Sequence, residues 1–257
     1  MSRPVESFPL FSVITPTHNC IVKLPPTSQS VLSQSQGSDL FEYILSDGDS
    51  TDGTNHWINK LSSEDHRVRA WSEPDFGIYD AMNKAIVRAR GKFLYFLGAG
   101  DILLPDVLLA VAQVVQRKNI NSKSLMCYGN VIWGDKGRYG GRFTRMRLVN
   151  QNICHQAVFY DRRIFEHHGL FDSNYRICAD YEFNMRCFAD SNIQKVYLNF
   201  DIALYEGTGV SQFGDKTFQQ AFPALIRQHL GLWPLLYFRR HAFLSLRAII
   251  RAIRNRF

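Results

Sequence analysis

Residues 92–101 read KFLYFLGAGD: an apolar, aromatic run of strand length, a break at Gly98-Ala99-Gly100, and a lone carboxylate at Asp101. One acid after a strand is ordinarily a solvated turn, so its meaning depends on how the other strands end. Working outward, FSVIT (11–15) is a β-branched run stopped by Pro16, and FEYILS (41–46) runs into Asp47-Gly48-Asp49. Val68 to Trp71 makes a third short strand that leads to Glu73-Pro74-Asp75. Between them lie helical patterns. One starts at Pro26-Thr27 and stops at Gly37, one passes through Trp57, Ile58 and Leu61, and one runs from Ile78 to Ala89 with Ile78, Met82, Ala85, Ile86 and Ala89 on one face. A further helix begins at Pro105.

Strand alternating with helix through short connections predicts an α/β chain, a mostly parallel sheet with helices on both faces. Ligands of such sheets bind outside the carboxyl ends of the strands. Three successive strand ends here carry acids (Asp47, Asp75, Asp101), a repetition that random turns do not need. Crowded carboxylates repel unless a cation or hydrogen-bond donors intervene. Neither a G-x-G-x-x-G dinucleotide fingerprint nor a G-x-x-x-x-G-K-[ST] phosphate loop is present, and no G-x-S-x-G or H-E-x-x-H motif occurs. An acidic edge is suited to nucleobase and ribose hydroxyls, or to a hard divalent cation that grips phosphates.

Six stretches, in this order, resemble family 2 glycosyltransferases of the GT-A fold: FSVITPTHN, YILSDGDSTDGT, SEPDFGIYDAMNKAI, GKFLYFLGAGDILLPD, ICHQAVFYDRRIFEHHGLFD and YRICADYEF. The resemblance spans about residues 10–212 and is strongest to the branch that builds bacterial surface polysaccharides. It implies that Pro16, Thr17 and Asp47 hold the base and ribose of a sugar nucleotide, with Asp75 and Asn83 on the same side. It implies that Asp101 ligates a divalent cation (Mn2+ or Mg2+) on the diphosphate. The chain departs from the family here: Gly98-Ala99-Gly100-Asp101 stands where the usual stretch resembles N-S-D-D, so strict metal dependence is open. Asp180, at the head of a helix, matches the general base that takes the acceptor hydroxyl's proton. Glu182 is the spare candidate, and His155 is a candidate to position the acceptor or reach the metal. Tyr205 to Ser211 resembles a loop that closes over the site, and DKGRYGG (135–141) reads as a hairpin between YGNVIW and RFTRM.

The net charge is +7, and residues 221–257 hold seven arginines with no Asp, Glu or Lys, which leaves residues 1–220 neutral. A basic tail rather than a basic body argues against nucleic acid and for a local anionic partner. Arg240, Arg247, Arg251 and Arg254 share one helical face, behind the apolar segment LGLWPLLYF, a pattern suited to an anionic membrane surface. Five cysteines without C-x-x-C spacing, and no apolar leader, set the expectation of a reduced, cytoplasmic protein peripheral at the inner face of the membrane.

The expected organisation is a glycosyltransferase domain over 1–220, with a nucleotide half at about 10–130 and an acceptor half at about 131–220, followed by a basic helical tail over 221–257. The expected activity is inverting transfer from a nucleotide-diphosphate sugar, a UDP-sugar being favoured, to a lipid-linked glycan in O-antigen, capsule or exopolysaccharide synthesis. The rival is a nucleotide-sugar-binding or scaffold protein with weak turnover.

Overall fold

The computed structural model describes residues 8–34, 40–118, 123–207 and 214–240. In chain order the first half is β1 (Phe11–Thr17), α1 (Leu24–Leu32), β2 (Phe41–Asp47), α2 (Thr54–Glu64), β3 (Val68–Ser72), α3 (Ile78–Arg88), β4 (Phe93–Phe96), β5 (Ile102–Leu103) and α4 (Val107–Arg117). Every residue of β1, β2 and β4 is buried, as parallel strands covered on both faces must be. β3, β2, β1 and β4 lie side by side and parallel, with Ile14 opposite both Ile44 and Phe96.

The second half comprises β6 (Ser124–Trp133), β7 (Gly137–Tyr139), β8 (Val158–Asp161), α5 (Arg162–His168), α6 (Ala179–Ala189), β9 (Ile193–Tyr205) and α7 (Lys216–Leu225). These strands extend the same sheet to nine, in the order β3-β2-β1-β4-β8-β6-β9-β5 with β7 on β6. β8 joins β4 antiparallel, so the parallel run stops there. The hairpin expected around residues 135–141 is present, but its return strand is Gly137–Tyr139 rather than RFTRM, because a helical turn at Gly134–Lys136 reverses the chain early. The helix expected to reach Gly37 ends at Leu32, and Gly37 lies outside the described residues.

An aromatic cluster fastens α5 and α6 to the sheet. Phe165 and Phe183 stack at 4.5 Å, and Phe171 meets Phe96, Phe165 and Phe183 at 5.3, 5.4 and 5.1 Å. Offset and edge-on ring pairs of this kind add about 0.5–1.5 kcal/mol each beyond the area they bury. Phe183 brings α6 into this cluster, and Asp180 stands in the first turn of that helix.

The boundary expected at residue 220 falls inside α7, which continues as a π-helical turn (Ile226–Leu230) and a helical segment over 232–240. Phe218 stacks on Tyr181 at 5.2 Å, while Leu225, Ile226, Leu230 and Leu235 are buried. His229 reaches Glu182 of α6 at 3.4 Å. Residues 241–257, with Arg247, Arg251 and Arg254, lie outside the described residues.

Burying one such aliphatic side chain contributes about 1.5–3 kcal/mol. Truncation after Pro223 removes four of them and is therefore expected to leave the protein unfolded or with a strongly lowered Tm. Truncation after Arg240 should leave Tm close to that of the whole chain. Thermal melts followed by circular dichroism distinguish the two, and equal melts for both truncations would show that the 224–240 segment is not part of the core.

Candidate active site

Parallel register puts Thr17 opposite Asp47 and Asp47 opposite Ser72, one row across three strand ends. Asp47 sits at the centre of that row and is only 1% exposed. Its Oδ1 accepts from Thr17 Oγ1 (2.9 Å) and Ser50 Oγ (2.6 Å), and its Oδ2 from Ser50 N (3.0 Å) and Ser72 Oγ (2.6 Å). The loops after β1 and β2 are stitched together in the same way. Ser50 Oγ accepts from Asn19 N, and Asn19 Oδ1 accepts from Thr51 N. Asn19 and Asp49 take left-handed backbone, which Asn and Asp tolerate best among residues with a Cβ. Asp75 leans across Gly48 so closely that a Cβ there would stand 2.2 Å from Asp75 Oδ2.

Above this floor opens a cavity of about 780 Å3, within the range usual for small-molecule sites. Pro16, Thr17, Asp75, Asp101 and His155 line it, whereas Asp47 supports it from below. At the β4 side, Asp101 Oδ2 accepts from Gln156 Nε2 (2.5 Å) and Oδ1 from Glu206 N (3.0 Å). Burial pushes the Asp101 carboxyl above its usual range, against those two donors and the nearby His155. Glu206, at the end of β9, pairs with Lys23 at 2.8 Å and also lines the cavity. Gly100 is left-handed (φ +105°), and a Cβ on it would lie 2.5 Å from Glu206 Oε2.

Across the cavity, Asp180 is 6% exposed and does not line the wall. Tyr79 OH donates to its Oδ1 (2.8 Å) and Asn152 Nδ2 to its Oδ2 (2.9 Å), while His155 Nδ1 stands 3.9 Å from Oδ2. Burial raises the Asp180 carboxyl, with His155, Tyr79 and Asn152 opposing. The imidazole thus acts electrostatically on both Asp101 and Asp180, and its Nε2 is buried with no hydrogen-bond partner among the described residues.

Besides Asp47 and Asp180, which stand behind the lining, two more expected site residues are not brought to the cavity. Asn83 exchanges both of its amide hydrogen bonds with the backbone of Phe171, at 2.9 and 3.0 Å, and so ties α3 to the segment before α6. Glu182 pairs with Arg186 (2.7 Å) and His229. Burial raises its carboxyl, but the hydrogen bonds and charge of those two partners outweigh burial and hold it below the usual range. Conversely, sequence reasoning gave no role to Lys23, Gln156, Arg176 or Glu206, all of which line the cavity. Gln156 and Arg176 stand inside quoted motifs and Glu206 in the loop expected to close over the site, so a polar side chain beside a recognised residue is the available signal.

The sequence model of the family described as "Glycosyl transferase family 2" matches residues 12–169. The chain is 36% identical over 251 residues to proteins of Mycobacterium tuberculosis and Mycobacterium bovis named PGL/p-HBAD biosynthesis glycosyltransferase, covering 95% of this chain and 96% of theirs. It is 29% identical over 188 residues to the chondroitin synthase of Pasteurella multocida, covering 69% of this chain and 19% of that one. Among solved structures, TarS of S. aureus (residues 1–349) superposes with a TM-score of 0.66 at 17% identity, over 85% of this chain and 63% of that one. The mannosyltransferase PcManGT of Pyrobaculum calidifontis, in complex with GDP-Man and Mn2+, gives 0.60 at 17%, over 88% and 63%. The chain belongs to glycosyltransferase family 2, and its sheet is that of the GT-A fold.

Enzymes of this fold typically use a divalent cation. Among the described residues no three His, Cys, Asp or Glu side chains converge to cage one. Asp101 nevertheless fits a cation carried by a diphosphate, because magnesium-like ions need only one or two carboxylates when phosphates complete the shell. Each Asp101 oxygen keeps a second lone pair beyond its single donor, and Asp101 lines the cavity where such a group would enter.

The raised carboxyl of Asp180 has a consequence for stability. A folded-state value above the unfolded one makes stability fall as pH climbs from the unfolded value through the folded one, and the penalty stays in full above it. Asp180→Asn removes the penalty, so its Tm at about pH 8 should equal or exceed that of the parent, and this advantage should shrink toward about pH 4. Melting curves across that range check it. A variant less stable than the parent at high pH would mean that the ionised carboxylate is net stabilised where it sits.

Proposed function

We propose that the protein moves a sugar from a nucleotide-diphosphate donor, a UDP-sugar in the first instance, to a hydroxyl of a lipid-linked glycan during cell-surface polysaccharide synthesis. The observation that carries this reading is one cavity with Asp101 on its β4 wall and the His155–Asp180 pair facing it. Base and ribose are assigned to the side of Pro16, Thr17 and Asp75, and the diphosphate to Asp101. A divalent cation held there by Asp101 would offset the charge that grows on the leaving diphosphate.

The displacement is single and inverting in this reading. The acceptor oxygen forms its bond to the anomeric carbon as the bond to the diphosphate breaks, and the bonding pair leaves on the phosphate oxygen. The hydroxyl proton must go to a base within hydrogen-bond reach. Asp180, the expected base, lies behind the wall, so in this reading the immediate base is the lining residue His155, whose Nδ1 is 3.9 Å from the Asp180 carboxylate and whose Nε2 has no hydrogen-bond partner among the described residues. The imidazole receives the proton and the carboxylate stabilises the cation that results. TarS is solved with UDP and UDP-GlcNAc, which supports a uridine donor for this chain without assigning its sugar.

Asp180→Asn is expected to abolish transfer while leaving UDP affinity within about threefold, which separates chemistry from binding. A thermal-shift panel of UDP, GDP and their sugars, with and without Mn2+, tests the donor. Near-normal turnover in the variant would remove Asp180 from the mechanism. Donor binding by a parent that transfers no sugar would favour the non-catalytic rival.

Attachment to the cytoplasmic face of the membrane belongs to the same proposal. No helix among the described residues is long and apolar enough to cross a membrane. The helical segment over 232–240 exposes Leu232 (61%), Trp233 (80%) and Leu236 (46%) just ahead of the arginine-rich residues. An apolar face beside basic residues suits an anionic lipid surface, which attracts at about 1 kcal/mol per arginine. Truncation after Arg240, which keeps every described core residue, should reduce sedimentation with phosphatidylglycerol vesicles, and salt should weaken the parent's binding only in part, because apolar insertion is not screened. Equal pelleting of both forms at either salt would defeat the membrane reading.

A further inference from the structure

Gly100 stands where the family motif usually carries the acid before Asp101. The volume its side chain would fill is not empty: the carboxylate of Glu206 occupies it, with Oε2 2.5 Å from where the Cβ would be. Glu206 arrives from a different part of the chain, just past the end of β9, and the contacts that hold it there include these. Its backbone N–H donates to Asp101 Oδ1 at 3.0 Å, and its carboxylate pairs with Lys23 of the loop after β1 at 2.8 and 3.0 Å. A Cβ at position 100 would therefore collide with Glu206, and the left-handed backbone there disfavours one independently. Glycine at 100 and glutamate at 206 are two halves of one arrangement.

We infer that Glu206 supplies the carboxylate that the β4 loop has lost, and that it joins Asp101 in holding a divalent cation on the donor's diphosphate. The inference rests on the donor reading above and adds a residue to it. Hard cations accept carboxylate oxygens wherever the chain delivers them, so a ligand presented by β9 is chemically equivalent to one presented by β4. Lys23 holds the carboxylate while the site is without its ligand. When a cation arrives with the diphosphate, Glu206 turns to the cation and the Lys23 ammonium is released toward the phosphate oxygens. The absence of a three-residue cage among the described residues fits this arrangement, because the phosphates themselves complete the coordination.

The test is Mn2+ binding read by electron paramagnetic resonance of the free ion, on the whole chain, with and without saturating UDP or GDP. The parent should bind Mn2+ strongly only when a nucleoside diphosphate is present. Glu206→Gln should weaken that affinity by about tenfold or more, as should Asp101→Asn, while metal-free nucleotide affinity stays within about threefold. Lys23→Gln separates a ligand role from a merely structural one. It removes the cation that competes for the carboxylate, so Mn2+ affinity at saturating nucleotide should hold or tighten. Unchanged Mn2+ affinity in Glu206→Gln, or an equal loss in Lys23→Gln, overturns the assignment. A parent that binds the nucleotide but no nucleotide-dependent Mn2+ also overturns it and leaves the donor reading standing. A parent that binds neither overturns both.

Discussion

Asp47 is the constraint on which the rest of the site depends. Its carboxylate accepts from a side chain at the end of β1, from one at the end of β3, and from the backbone and side chain of Ser50 in its own loop. Hydrogen bonds to a charged group are worth about 1.5–3 kcal/mol net, and a buried acceptor left unmade costs about as much. Four on one buried carboxylate hold three strand ends in register and fix where their loops leave the sheet. The cavity floor is therefore set by the parallel register itself, since Thr17, Asp47 and Ser72 become neighbours only when β1, β2 and β3 pair in step. The resemblance to sugar-nucleotide enzymes places base and ribose near this residue, and the structure gives its oxygens to the protein.

The same economy governs the far wall. His155 sits between two acids whose carboxyls are both raised by burial, and it offsets the cost of each. One imidazole thereby links the Asp101 side of the cavity to the Asp180 side electrostatically. In the proposed displacement, proton transfer toward Asp180 and charge growth at Asp101 would occur together, and His155 is the group that feels both acids. Tyr79 and Asn152 fix Asp180 in place, and Tyr79 also binds Ile177 O at 2.9 Å, so the segment that carries Arg176 to the rim is tied to the same carboxylate.

The first half of the fold was legible because its strands are buried on both faces and its helices carry apolar residues on one. Each signal is local, and FSVIT, FEYILS and KFLYFL announce themselves. The second half was less so. β9 runs for thirteen residues with mixed exposure and pairs with β6 through a register shift, so its pattern matches neither a buried strand nor a regular alternation. β5 is two residues long and exists only because β9 lies beside it. Asn83 was assigned to a ligand on motif alone, and only its contact with Phe171, 88 residues away, shows what its amide is used for. The basic tail was separable by charge but not by packing: arginine counts place its start at residue 221, whereas burial of Leu225, Ile226, Leu230 and Leu235 carries the core past it.

The β4 loop shows why a departure from a motif cannot be valued from sequence alone. Gly98-Ala99-Gly100-Asp101 reads as a site that has lost a ligand, because a motif is a statement about neighbours in the chain. Coordination is a statement about neighbours in space. β9 is remote in sequence from β4, yet the antiparallel pairing of Ile102 with Leu204 and of Leu103 with Ala203 brings its end onto the Asp101 loop. Glu206 follows two residues beyond that pairing and donates its backbone N–H to Asp101. The short β5 strand, the most easily overlooked element in the chain, is thus what aligns the two acids. Once that pairing exists, a side chain at position 100 is excluded by contact and by backbone conformation, so the glycine is a consequence of Glu206's position and need not mark a decayed site.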